Sequence, residues 1–484
     1  MMRAASLMGV LLALVLCLAA DAKADPANKA ANQVPVGNGK TSTQGRTARI
    51  ERLTAAAVNF GDILREGEWW DGAIAVYSMA IVLDENCAAA YSGRGRARSN
   101  KDDLSEIEFG LAMSDLDRAI QLDPKDARAW NCRGWNYSEK KEYDKAIADF
   151  SEVIRIEPKD AHAYCCRGAA YPLKGENNRA MADLNEAIRL APHESIAYSI
   201  RGEVFRRQGD LTKAFADLNE AIRLNPKNTS AYVNRSAALV QGEKYDQAIE
   251  DASAAIRLDP KEAMAHNNRG EAYRRQGKLD EAIADFSRAI ELDPTYGTAF
   301  ANRGLVHITR RAFDKAITDL NRSLELAPRD ASALVNRGVA FRQTGQIERA
   351  LADLDEALRL DPACKNAYVN RGAAFFTRGN YDQVISDCNR AIELDSKYAS
   401  AYANRGSAYA AKGDFEQAIR DLNEALRLDP ACAGDMQIAA ESVICKVIGV
   451  GRFLIWDGQS NSIPLRRRRS ATVARPTWQS RSRN

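Results

Sequence analysis

Histidine is scarce in this chain: only His162, His193, His266 and His307 occur, and they are widely dispersed. GxSxG, a P-loop and HExxH are all missing, so the usual constellations of serine hydrolases, nucleotide hydrolases and zinc proteases have no residues to run on. Nine cysteines include no CxxC and no spaced Cys/His set. Cys165 and Cys166 are adjacent and Cys388 falls on an apolar helical position, which fits small buried hydrophobes better than disulfides or metal ligands. No enzymatic activity, cofactor or metal is therefore expected.

Charge of one sign is also lacking overall. The formal net charge of +3 conceals eight arginines against one acid (Asp457) from Arg452 onward, so the remainder sits near −4. With the excess confined to one tail, total charge offers little support for nucleic-acid binding. Hydrophobic residues at 45% and charged residues at 27% exclude wholesale disorder and a multi-span membrane protein.

Long apolar runs are rare, and the first is informative. Arg3 precedes an uncharged, leucine-rich stretch over residues 4–20, followed by small-residue sites around Ala22 and Ala24. This reads as an export signal over residues 1–24, placing the protein in the periplasm or outside the cell. If the signal stays uncleaved, its length is at the lower limit for a membrane anchor. Residues 25–53 are poor in apolar periodicity and read as a flexible linker.

What is present in abundance is a period. Small residues recur at Gly61, Gly95, Gly134, Gly168, Gly202, Ser236, Gly270, Gly304, Gly338, Gly372 and Gly406, every step being 34 except the second, which is 39. Pro124, Pro158, Pro192, Pro226, Pro260, Pro294, Pro328 and Pro362 keep the same step. Within one unit, Tyr273, Leu279, Ala282, Ile283, Phe286, Ala289 and Ile290 follow helical spacing, Gly277 interrupts it, and Asp293-Pro294 ends it. Two helices per unit follow. Neither can bury its apolar face alone, so successive units must stack.

These segments resemble tetratricopeptide repeats, with a small residue at position 8, an aromatic at 11, alanines at 20 and 27 and proline at 32. Residues 263–296 carry Gly270, Tyr273, Ala282, Ala289 and Pro294 at those places. The resemblance implies an all-α, right-handed superhelical solenoid of about eleven repeats over residues 54–432. The repeats start at Thr54, Ala88, Ala127, Ala161, Ser195, Thr229, Ala263, Gly297, Ala331, Lys365 and Ala399. The second repeat carries five extra residues, expected as a longer loop between its helices. Pro172 should kink or shorten the first helix of the fourth, and His307 occupies an aromatic packing position. An amphipathic capping helix (433–456) and a basic tail (457–484) follow, the former open to docking, self-association or membrane contact.

Position 7, normally leucine in the family, is arginine in ten repeats, and position 23 is aspartate in the same ten; the first repeat has Phe60 and Val76 instead. The two positions can meet within or between repeats, and their co-occurrence predicts an Arg–Asp ladder that joins successive units and fixes their register, with Asp285 the partner that Arg269 holds; the alternative is a ligand-binding row of arginines.

Position 6 is asparagine in six consecutive repeats: Asn234, Asn268, Asn302, Asn336, Asn370 and Asn404. In this family the position generally faces the concave groove, and the row resembles the asparagine ladder of O-linked N-acetylglucosamine transferases, which holds peptide backbone. An amide both donates and accepts, so it suits any peptide unit; it also suits neighbours within the array, and both readings stand. Arg206, Arg274 and Arg342, at position 12, offer cations for an acidic or C-terminal carboxylate, or form a solvated helix face. The expected function is a scaffold binding extended segments of a protein partner in the groove. The alternative is an RNA-binding helical repeat, disfavoured by export and by few groove aromatics.

Overall fold

The computed structural model describes residues 39–101 and 105–430. They form 22 α-helices in consecutive antiparallel pairs, with one 3-10 turn and, among the described residues, no strand. First helices begin at Ala88, Ala127, Ala161, Ser195, Thr229, Ala263, Gly297, Ala331, Lys365 and Ala399, matching the period. Second helices are 14 residues long in most repeats, for instance Leu279–Leu292. Chain contacts separate two compact units, with the boundary between Pro260 and Lys261. The first unit holds repeats 1–6 and the second repeats 7–11.

Local chemistry explains each boundary. Asp126, Asp160 and Asp330 close one repeat and cap the first helix of the next, accepting hydrogen bonds from its first backbone N–H groups. Second helices stop at an extended residue such as Asp293, held out of helical geometry by the following Pro294. The turn within a repeat requires a left-handed residue at position 15. Glycine supplies it six times, whereas Glu68, Lys141, Glu243 and Arg311 adopt φ of 58–61°.

Small residues set the spacing of helices. Ala282 and Ala289 have no exposed surface, and a Cβ on Gly270 would come within 2.9 Å of the Phe286 ring. Ion pairs across the turns add a link between repeats: Lys174 reaches Asp144, Arg310 reaches Asp280, and Lys412 reaches Asp382. Within each unit, the first helices of most successive repeats touch one another, and successive second helices have no comparable contact among the described residues. First helices therefore line the inner side of each stack.

Three expectations need correction or refinement. Residues 39–53, read as linker, belong to the helix Gly39–Glu66. Ile50, Leu53 and Ala57 continue the apolar spacing of the first repeat, and extending an established helix is cheap. The five-residue insertion is not a loop alone: the second helix there, Glu106–Leu122, runs to 17 residues, with Ser105 capping the backbone N–H of Glu108. At Pro172 the α-helix ends at Ala170 and continues as a 3-10 turn, Tyr171–Lys174. The signal segment, the capping helix and the basic tail lie outside the described residues.

Candidate peptide groove

The arginine at position 7 is a three-way clasp. Its Nε and Nη2 donate to the two carboxylate oxygens of the position-23 aspartate at 2.6–2.9 Å, as in Arg201–Asp217, Arg337–Asp353 and Arg405–Asp421. That aspartate is in the same repeat, as the expected pairing of Arg269 with Asp285 has it, so this fork by itself does not join successive repeats. The two helices of a repeat meet at the position-8 glycine, which brings positions 7 and 23 face to face. The link between repeats comes instead from the remaining nitrogen. Nη1 of Arg201 donates to Asn185, that of Arg337 to Asn321, and that of Arg405 to Asn389, each at position 25 of the preceding repeat. Guanidinium is the one side chain with enough planar donors for both tasks.

Rungs differ in their surroundings. Tyr198, Tyr232, Phe300 and Tyr402 lie one helical turn before their arginines and within 5.8 Å of the guanidinium carbon. In repeat 7 a buried histidine stands there, and His266 Nδ1 is 3.3 Å from Asp285. Burial pushes Asp285 up, yet Arg269 and His266 hold it below the usual carboxylate range. In repeats 3 and 10 the linking residue is itself acidic. Burial raises Asp387 in spite of Arg371, and the charge of nearby Asp355 raises it further. His307 packs half-buried, 3.8 Å from Asp319, and burial lowers its basicity.

The asparagines of position 6 are all half-buried on first helices. Asn234 donates to the backbone carbonyl and hydroxyl of Ser199, Asn302 to Asn267, and Asn404 to the carbonyl of Val369. Each of these bonds runs to the preceding first helix. Asn370 bonds within its own helix, to Asn366 O at 2.9 Å. Part of the capacity of Asn234, Asn302 and Asn404 is thus used in stitching the inner face.

Two position-12 arginines are not bare cations. Arg206 is forked onto Glu203 and Arg274 onto Glu271, three residues earlier on the same helix. Burial alone would raise Glu203, but Arg206 and Arg207 together hold it below the ordinary range. Arg342 has Val339 in place of that glutamate.

Cysteines behave as packing residues. Cys165 and Cys166 are buried, and burial pushes the Cys165 thiol up to about 12. Cys166 Sγ lies 3.4 Å from His162 Nε2, and His162 is stacked on Trp135. A cavity of about 320 Å³ lies beside His162, Cys165 and Ile196. Among the described residues no group of His, Cys, Asp and Glu is arranged to hold a metal, and no helix is long and apolar enough to cross a membrane.

Three family models described as tetratricopeptide repeat match residues 127–160, 174–229, 235–297, 304–374, 366–398 and 399–432. The chain belongs to the tetratricopeptide repeat family. This family and the all-helical paired fold support a protein–protein interaction scaffold, generally non-enzymatic in such repeats. The APC/C hetero-tetramer Cut9-Hcn1 shares the fold at 16% identity and a TM-score of 0.50, over 80% of this chain and 95% of that one. A tetratricopeptide repeat protein from Parabacteroides merdae matches at 19% identity and a TM-score of 0.41, over 52% of this chain and 98% of its own. YrrB, a tetratricopeptide repeat protein with an unusual peptide-binding site, matches at 24% and 0.33, over 40% and 98%. No curated protein matches the chain.

Proposed function

We propose that the chain is an exported scaffold that binds extended segments of a protein partner along the inner face of repeats 6–11, within each unit. The observation that carries this reading is the asparagine row. One amide stands on each first helix at a fixed step, and Asn234, Asn302 and Asn404 are oriented by bonds to the preceding first helix. Pre-orientation lowers the entropy cost of engaging a peptide. An amide reads backbone N–H and C=O irrespective of side chain, so affinity should depend on the peptide's main chain.

The test uses the full chain and a library of unstructured peptides. Peptides that bind should lose affinity on backbone N-methylation and tolerate many side-chain changes. Changing Asn302, Asn336 and Asn370 to alanine should weaken them together while circular dichroism stays native. Unaltered binding by that folded variant would sink the reading. Export rests on residues 1–24 and is tested by fusing them to alkaline phosphatase, which is active only outside the cytoplasm; an inactive fusion removes that part.

A further inference from the structure

We propose that the inner face of repeats 1–3 is a separate site for an acidic peptide segment, held by Arg96 together with Arg65 and Arg128. The site deepens the scaffold reading by naming the chemistry of one partner segment, and it shares no residue with the asparagine row.

The starting point is an arginine with no acid. Arg94 and Arg98, its near neighbours on helix Ala88–Ser99, both pair with Asp115, and Arg98 also meets Glu108. Arg96 is half-buried between them in sequence, yet among the described residues it makes no ion pair and no side-chain hydrogen bond. A cation withdrawn from water and left uncompensated is unfavourable, so its environment is suited to an incoming anion.

Two further arginines face the same charge. Arg65 comes from the preceding first helix and Arg128 from the following one, and these first helices touch. Arg65 is largely buried, its Nε has no hydrogen-bond partner, and its nearest carboxylates, Asp62 and Glu66, stand off at 3.6 and 3.8 Å. Asp62 is already engaged by the Tyr77 hydroxyl at 2.7 Å. Arg128 is exposed. Burial, then Arg65, with Arg128 adding to it, holds Arg96 below the usual guanidinium range. The groups pulling the other way are Cys132 and Tyr77. Burial raises the titration of both, so they are neutral at pH 7.

The distribution selects the ligand. Three guanidiniums on three adjacent helices suit carboxylates strung along an extended segment better than one compact anion. Trp135 stands at position 9 of repeat 3, as Arg96 does in repeat 2, and is 45% exposed. Its ring is already stacked on His162 and edge-on to Phe150, which leaves a rim for an apolar side chain rather than a free face for a base.

The test is fluorescence anisotropy of a labelled polyglutamate peptide with the full chain, alongside labelled polyuridylate of equal length. Polyglutamate should bind, more weakly as salt rises. Arg96→Gln should weaken it about tenfold and Arg128→Gln several-fold, as expected for charge-assisted contacts. Arg155→Gln, on an exposed ion pair of a second helix, should not change it. Thermal midpoints should stay level or rise in Arg96→Gln, because a repulsion is removed; if that variant unfolds, the exposed Arg128→Gln carries the test. Wild-type binding by both site variants, no polyglutamate binding, or tighter binding of polyuridylate each overturns the proposal. The triple asparagine variant should bind polyglutamate normally, so failure of the asparagine reading alone leaves this result intact.

Discussion

In the first repeat a tyrosine joins the two helices. Tyr77 is fully buried against Gly61 and Gly93 and donates to Asp62 at 2.7 Å. In the ninth, residues 331–364, Arg337 forks onto Asp353 and extends its third nitrogen to Asn321. Both repeats pack, so helix pairing in this chain does not depend on an ion pair. What only the arginine does is reach the preceding repeat. The first repeat has no earlier repeat to reach, and it is the one where Phe60 and Val76 replace the charges.

The comparison breaks most visibly at the arginine. Arg337→Leu should cost about 3–5 kcal/mol by stranding the buried Asp353. Adding Asp353→Val should recover most of that loss in urea denaturation. Strict additivity of the two changes would mean that the pair is not a functional unit.

A smaller effect sharpens the tyrosine side. A Cβ on Gly93 would sit 2.4 Å from the Tyr77 ring, whereas one on Gly338 meets Leu354 Cγ at 2.9 Å. Gly93→Ala should therefore cost about 1–3 kcal/mol, and more than Gly338→Ala, because a wedged ring yields less than a leucine. Equal thermal shifts would show that the wedge is not rigid.

The smallest effect distinguishes two kinds of rung. Asp387 is raised in the folded chain, so it penalises folding when ionised and the penalty is relieved as pH falls below its folded value. Asp355→Asn removes the like charge beside Asp387 and should stabilise the neutral-pH protein by about 0.5 kcal/mol, small because Asp355 is exposed. The gain should shrink toward about pH 4, near the ordinary carboxylate range. A gain that grew on acidification would contradict this like-charge account.

The period, the helix pairs and the register positions were legible because each depends on residues repeated every 34 positions. The pairing of Arg269 with Asp285 was legible because the two charges appear and disappear together. The third contact, from the arginine to position 25 of the preceding repeat, was not, because it depends on how successive repeats stack. The pairing of Arg206 with Glu203 was not read from the sequence, because Glu203 is meaningful only once helical phase places it beside the arginine. Arg96 carried no signal at all: position 9 holds Asp62, Arg96, Trp135, Ala169 and Glu203 in turn, and isolation from acids is a property of three helices together. Helix 39–53 was missed because a polar, glycine-containing stretch can extend a helix nucleated elsewhere.

The clasp also bears on how such a chain changes length over generations. Each arginine consults only positions 7 and 23 of its own repeat and position 25 of the one before. Deleting residues 331–364 would present Arg371 with Asn321 instead of Asp355, the kind of partner that Arg337 already uses. A gain or loss of whole 34-residue blocks by unequal recombination would thus leave every joint chemically complete, and the five extra residues of the second repeat leave its joint intact as well, since Arg94 still forks onto Asp115. The array is editable in whole repeats, and within a repeat wherever positions 7 and 23 still meet.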